Sequence, residues 1–144
     1  IEIKNQNSND LSKALDWINE NGVKSVTIIG ATGLRDDHSL GNIFLILENK
    51  YKYRINIINE FGRFDLMDED KKLFRSFKNQ PVSIFCLDKE VKLNSKGLKY
   101  SLNDFSFSKL YGASLNASTG DSFEISSNKQ NVNVLVYRAN EEIK

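Results

Sequence analysis

The sequence has a single cysteine, Cys86, in 144 residues. One cysteine can neither close an internal disulfide nor build a cysteine-rich zinc site. No apolar run approaches the roughly 20 residues that a membrane helix needs; the longest candidate, Ile43 to Leu47, reads as a core segment. Charge of one sign is also missing. Lys and Arg number 20 against 19 Asp and Glu, a formal net charge of +1. No broad basic field therefore marks a nucleic-acid binder, and a doublet such as Lys71-Lys72 reads as solvated surface. Ile1-Glu2-Ile3-Lys4 lacks the basic flank and apolar stretch of a signal peptide. These absences favour a cytoplasmic protein with neither membrane nor nucleic acid as partner. The chain also opens without an initiator Met, in the middle of an apolar-polar alternation, and is expected to be a piece of a longer protein.

Hydrophobic residues make up 40% and charged residues 27%, ordinary for a globular chain of one domain or two small ones. The first part reads as alternating α and β. Asn9 or Asp10 is placed to cap a helix, along which Leu11, Ala14, Leu15 and Ile18 recur on one face. Asn21-Gly22 stops it. Val26-Thr27-Ile28-Ile29 is apolar on both faces, which predicts a central parallel strand. After the turn Gly30-Ala31-Thr32-Gly33, a second helix is expected to be capped near Asp36 or Asp37 and to bury Leu40, Ile43, Phe44 and Leu47. This order belongs to a layered α/β sheet.

From about Tyr51 the period changes. Short alternating runs cover Tyr53 to Ile58, Phe64 to Met67, Val82 to Leu87, Val91 to Leu93, Ser122 to Ile125 and Val132 to Tyr137. Turn residues such as Gly62, Asn79-Gln80-Pro81, Ser95-Lys96-Gly97 and Thr119-Gly120-Asp121 separate them. A short turn of helix is expected within Asp68 to Phe77. The fold class is thus α+β, a partial α/β (Rossmann-like) unit over residues 1–50 followed by an antiparallel β-sandwich over residues 51–144.

Three segments carry candidate chemistry. The loop Gly30 to His38 follows a strand, where open α/β sheets bind ligands. Its glycines let a ligand approach the backbone, the next helix N-terminus suits phosphate, and Arg35 offers a fork of donors. The same residues also serve as a plain strand-to-helix connection with Asp36 and Asp37 as caps. The glycine pattern fits neither the dinucleotide fingerprint nor the Walker loop, which argues against a nicotinamide enzyme. His38, the single histidine, has no visible relay partner. Next, Asp10 and Lys13 share one side of a helix's first turn. They suit a cation and a phosphate, or simply a cap and a local ion pair. Third, Gly112 to Asp121 is read as a polar loop, able to hydrogen-bond a small ligand or only to turn the chain.

Taken together, these segments resemble the thiamine pyrophosphokinase family. Gln6-Asn7-Ser8-Asn9-Asp10-Leu11-Ser12-Lys13-Ala14-Leu15 is similar to its motif of Gln, Thr/Asn-Asp, Lys and Ala-Leu. Gly30-Ala31-Thr32-Gly33-Leu34-Arg35-Asp36-Asp37-His38-Ser39-Leu40-Gly41-Asn42 is similar to its Gly-Ala-x-Gly-x-Arg-x-Asp-His-x-x-x-Asn signature. Val82 to Phe85, Gly97 to Leu102 and Gly112 to Asn116 continue the likeness, so it spans nearly the whole chain.

The resemblance implies a magnesium-dependent transfer of pyrophosphate from ATP to the thiamine hydroxyl, with AMP leaving. It implies a homodimer in which thiamine lies between the sandwich of one subunit and the α/β domain of the other. Gln6, Asp10, Lys13, Gly33 and Arg35 would line ATP, with Asp10 a ligand of Mg2+. Asp10, Arg35 and Asp37 would be catalytic. Asp37, Tyr111, Ser114 and Asn116 would meet thiamine, Tyr111 standing close to where the family often has a Trp. His38 and Asn42 match the signature. The family's Asp-Gly and Gly-Asp-x-Asp-Ser elements, which help hold magnesium, do not occur here, so the 144-residue chain alone is expected to be inactive. The alternative is a non-catalytic module that binds thiamine or nucleotide for regulation.

Overall fold

The computed structural model describes residues 9–67 and 69–141. Chain order gives α1 (Asp10–Glu20), β1 (Ser25–Ile29), α2 (Asp36–Glu48), β2 (Arg54–Ile58), β3 (Gly62–Leu66), β4 (Lys71–Arg75), β5 (Pro81–Phe85), β6 (Leu93–Lys96), β7 (Ala113–Ala117), β8 (Ser122–Ser127) and β9 (Leu135–Ala139). A six-stranded sheet runs β1-β2-β3-β9-β5-β7, and a three-stranded sheet runs β4-β8-β6. β1 and β2 are parallel; the other pairings are antiparallel. Among the described residues, two helices, a mixed six-stranded sheet and an antiparallel three-stranded sheet make an α+β fold.

Alternation explains the layers. In β2, Ile55 and Ile57 point to one face and are fully buried, whereas Asn56 points to the other. The first face packs on Leu15 of α1 and on Ile46 and Leu47 of α2, and Leu66 and Leu135 extend that core into the next strands. The Tyr53 hydroxyl donates to the Leu15 carbonyl at 2.8 Å, which fixes α1 on the sheet. At the far half of the sheet, Val82, Ile84, Ala113 and Val136 meet Phe74, Leu93, Phe123 and Ile125 of the small sheet, forming the sandwich core. Cys86 is buried there, and burial pushes its thiol pKa up.

Several expectations need correction. β1 is an edge strand of the described sheet, not a central one; it alternates, with Ser25, Thr27 and Ile29 exposed. Ala14 faces outward, and Leu40 and Phe44 are exposed while Ile46 joins Leu47 in the core. The stripe of α2 is therefore rotated from the one its sequence suggested. The N-cap of α2 is Arg35, not Asp36 or Asp37. No helical turn lies over Lys71–Arg75; that stretch is β4, with Phe74 inward and Leu73 outward. β6 begins where a strand was expected to end. The polar segment Gly112 to Asp121 contains β7 rather than a loop alone.

Candidate functional site

Because β1 and β2 are parallel, their C-terminal ends lie side by side, Ile29 opposite Ile58. The antiparallel register then brings the start of β3, the end of β9, the start of β5 and the end of β7 to this same end of the sheet. Two features share that end.

The first is a cradle built on the loop after β1. Gly30 and Gly33 sit at φ 76 and 110, backbone conformations that side chains disfavour. The Gly33 N–H donates to Ser39 Oγ at 3.2 Å, and that hydroxyl donates to the Arg35 carbonyl at 3.0 Å. Asn42 Nδ2 donates to the Ala31 carbonyl at 2.8 Å, and Asn42 Oδ1 accepts from Asn9 at 3.5 Å. These contacts gather the start of α1, the loop and the first turns of α2. Asn9 caps α1 by accepting from the Ser12 N–H at 2.7 Å. Lys13 Nζ lies 3.3 Å from Asp10 Oδ1, the carboxylate fully exposed. Arg35 and Asp37 form a bidentate pair at 3.1 and 2.6 Å. The Arg35 guanidinium holds the Asp37 carboxyl below its ordinary range, and the neighbouring N–H of His38 adds to this. His38 itself is exposed. Gln6 lies outside the described residues.

Charge decides what this rim attracts. Asp10, Asp36 and Asp37 outweigh Lys13 and Arg35, and two carboxylates already stand at the positive end of α2. A bare phosphate is therefore less suited to it than a phosphate accompanied by a cation. Among the described residues no group of three or more His, Cys, Asp or Glu side chains comes together to hold a metal unaided.

The second feature is a cleft of about 880 Å³ over the far strands. Phe61 and Tyr100 give it aromatic edges, Tyr137 and Pro81 a floor, and Glu60 and Glu141 carboxylates. Lys99, the only cation among the side chains lining it, stands with Nζ 5.5 Å from the Tyr100 ring centroid, so the Phe61 ring with the Glu60 and Glu141 carboxylates is the part that suits a flat, positively charged ligand. Phe61 and Tyr100 are 63% and 60% exposed, an unusual outlay of aromatic surface. Leu115 also lines the cleft, 83% exposed and at φ 58. Its N–H donates to Ser83 Oγ at 3.2 Å, where the pairing of β5 with β7 slips. Glu60, Phe61 and Tyr100 were missed by sequence reasoning, since Glu60-Phe61 and Tyr100 are far apart along the chain and meet only through the strand order.

The third predicted set divides. Asn116 reaches the cleft, but its amide is already engaged. Its Oδ1 accepts from the N–H groups of Tyr100 and Ala117 at 3.0 and 2.9 Å, and its Nδ2 donates to the Tyr100 carbonyl at 2.7 Å. Ser114 donates to the Tyr111 carbonyl at 2.7 Å. Tyr111 is exposed, with Lys109 Nζ 5.8 Å from its ring centroid. Tyr111 and Ser114 lie at the start of β7, the end of that strand away from the cradle. Five strand intervals also separate β7 from β1, roughly 24 Å at the usual spacing of about 4.8 Å. Within one chain the cradle and these two residues do not share a site.

Comparison with known proteins shows two adjoining matches. A family model described as the thiamin pyrophosphokinase catalytic domain matches residues 1–59, and one described as the thiamin pyrophosphokinase substrate-binding domain matches residues 62–137. The thiamine pyrophosphokinase of Bacillus subtilis (strain 168) is 33% identical over 104 residues, covering 66% of this chain and 46% of the relative, so the chain spans about half that protein's length. The crystal structure of thiamine pyrophosphokinase from Bacillus subtilis aligns with a TM-score of 0.76 at 22% identity, covering 94% of this chain and 64% of that one. Thiamin pyrophosphokinase from Geobacillus thermodenitrificans gives 0.69 at 22%, covering 95% and 64%. These two structures share the fold. With both of its segments matched in order and without overlap, the chain belongs to the thiamine pyrophosphokinase family.

Proposed function

We propose that this chain carries the thiamine-binding surface and part of the ATP-binding surface of a thiamine pyrophosphokinase. The enzyme would pass a pyrophosphoryl group from ATP to the thiamine hydroxyl and release AMP. The observation that carries this reading is the placing of the Gly30 to Asn42 signature at the C-terminal ends of two parallel strands, on the same sheet end as an acidic, aromatic cleft. A Rossmann-like first part, residues 1–50 with β2 continuing its parallel pair, would take the nucleotide. Residues 51–144 would take the vitamin.

In this reading Lys13 and Arg35 grip phosphate oxygens, and Gly33 lets the polyphosphate come close. Arg35 exchanges Asp37 for phosphate, which frees the Asp37 carboxylate to orient the thiamine hydroxyl. Magnesium, when bound, neutralises phosphate charge; Asp10 is the exposed carboxylate available to it, with the phosphates themselves as further ligands. Catalysis then rests on position and charge, not on a covalent intermediate. The cationic ring of thiamine suits a cleft bordered by Glu60, Glu141, Phe61 and Tyr100. The roughly 24 Å between β1 and β7 supports a homodimer in which Tyr111 and Ser114 of one subunit complete the cradle of the other. A cytoplasmic setting fits substrates of this kind.

Calorimetry with the 144-residue chain tests the reading. Thiamine should bind with or without nucleotide, and ATP should bind only with magnesium. Arg35→Ala should remove the ATP signal and spare the thiamine signal. Absence of thiamine binding overturns the assignment. Thiamine binding without any ATP response, with or without magnesium, would select the regulatory module instead.

A further inference from the structure

Asn59 stands where the parallel pair ends and β3 begins, and its side chain works in two directions. Its Oδ1 accepts from the N–H groups of Phe61 and Gly62 at 3.0 and 2.9 Å. Its Nδ2 donates to Thr32 Oγ1 at 2.9 Å. The backbone adds a bond from the Asn59 N–H to the Gly62 carbonyl at 3.0 Å. One end of a single amide thus holds the turn Asn59-Glu60-Phe61-Gly62, and the other end holds the cradle loop.

The turn is not free to yield. A Cβ at Gly62 would clash with the Tyr137 hydroxyl and the Arg138 carbonyl, so the turn packs closely against a residue that floors the cleft. Glu60 and Phe61 are themselves cleft walls. A displacement at Thr32 passes through one hydrogen bond to Asn59, and from there into two walls and the floor.

We propose that Asn59 is a positioning residue that couples the cradle loop to the cleft, so that filling one adjusts the other. The coupling rests on the reading that the cleft takes thiamine and the loop takes phosphate. It goes beyond that reading by assigning the link to one side-chain amide. By linkage the effect is reciprocal in affinity: the factor by which thiamine changes the loop's affinity for a phosphate ligand is the factor by which that ligand changes the cleft's affinity for thiamine.

The test is a thiamine titration of the isotope-labelled 144-residue chain followed by amide NMR. In the wild type, thiamine should shift Phe61, Tyr100 and Ala139 at the cleft, and also Thr32 and Gly33 in the loop. Thr32→Val removes the acceptor of the bridging bond. Thr32→Ser keeps the hydroxyl and serves as the control. In Thr32→Val the loop shifts should vanish and in Thr32→Ser they should remain, while the cleft shifts and the thiamine affinity persist in both. Loop shifts that survive Thr32→Val, or a wild-type loop that stays still while the cleft fills, overturn the coupling. No shift at the cleft amides in the wild type overturns the thiamine reading itself.

Discussion

Asp37 lies in the first turn of α2, where unpaired backbone N–H groups favour a negative charge, and the guanidinium of Arg35 adds to that preference. Its folded-state pKa is depressed below the ordinary 3.8. The sign follows: whatever stability the pair gives is fully present above the unfolded value and is lost as pH falls through the folded one. Near neutrality the pair is insensitive to pH. Following the Asp37 carboxyl carbon by NMR should show a midpoint under 3.8, and Arg35→Gln should move it upward. A midpoint that ignores the substitution would show that the pair does not hold the charge. Asn116 poses a different question, since the sequence resemblance leads one to expect a ligand contact whereas its geometry makes it a brace. It is 5% exposed and satisfies both backbone groups of Tyr100. Asn116→Ala leaves those groups without their partner and should cost about 2 kcal/mol, read as a lower urea midpoint at an unchanged slope. If stability holds and only thiamine affinity falls, the amide is a ligand contact and the brace is incidental.

At the level of elements, β7 is the least regular strand and the most informative. Leu115 adopts a left-handed backbone at φ 58 within it. For a side chain with a Cβ, that conformation costs of order 1–3 kcal/mol, while glycine loses extra chain entropy of roughly 0.5–1 kcal/mol. Leu115 is 83% exposed, so little burial is at stake. Leu115→Gly should therefore stabilise the chain by about 1 kcal/mol, seen as a higher melting temperature; a lower one would mean that the side chain packs on something in solution. This strand also marks where the sequence stopped being readable. α1 was legible because Asn9 caps it through its own side chain and Leu11, Leu15 and Ile18 keep helical spacing. β2 was legible because Ile55 and Ile57 alternate with polar residues. β7 was hidden because its buried positions, Ala113 and Asn116, are small or polar. β4 was hidden because Lys71-Lys72 and Arg75 flank only one buried residue, Phe74. The cradle could be read from its glycines and its spacing along the chain. The cleft could not, because Phe61, Tyr100, Leu115 and Glu141 are scattered in sequence and meet only through the strand order.

On the scale of the whole molecule, the two family segments meet between residues 59 and 62, yet no linker separates them. β3 pairs with β2 on one side and with β9 on the other, so one sheet crosses the junction. Leu66 and Leu135 from the later segment pack into the same core as Leu15 and Ile46. Asn133 donates to the carbonyls of Leu47 and Asn49 at 2.9 and 2.7 Å, closing the C-terminal end of α2 from across the junction. Arg63 of β3, paired with the 4% exposed Asp65, also donates to Asn56 Oδ1 of β2 at 3.1 Å, across the junction. Segments joined by a shared sheet, a shared core and hydrogen bonds across the junction should unfold as one unit, although the two family models that match them are described as separate domains. The single tryptophan, Trp17 in α1, gives a probe confined to the helical layer, whereas far-ultraviolet circular dichroism weighs both sheets. In urea the two signals should share one midpoint and one slope. If Trp17 fluorescence changes first, with sheet ellipticity intact, the helical layer melts by itself. The continuous sheet would then be a scaffold for the sandwich alone, and the hydrogen bond from Asn59 to Thr32 would join two units of separate stability.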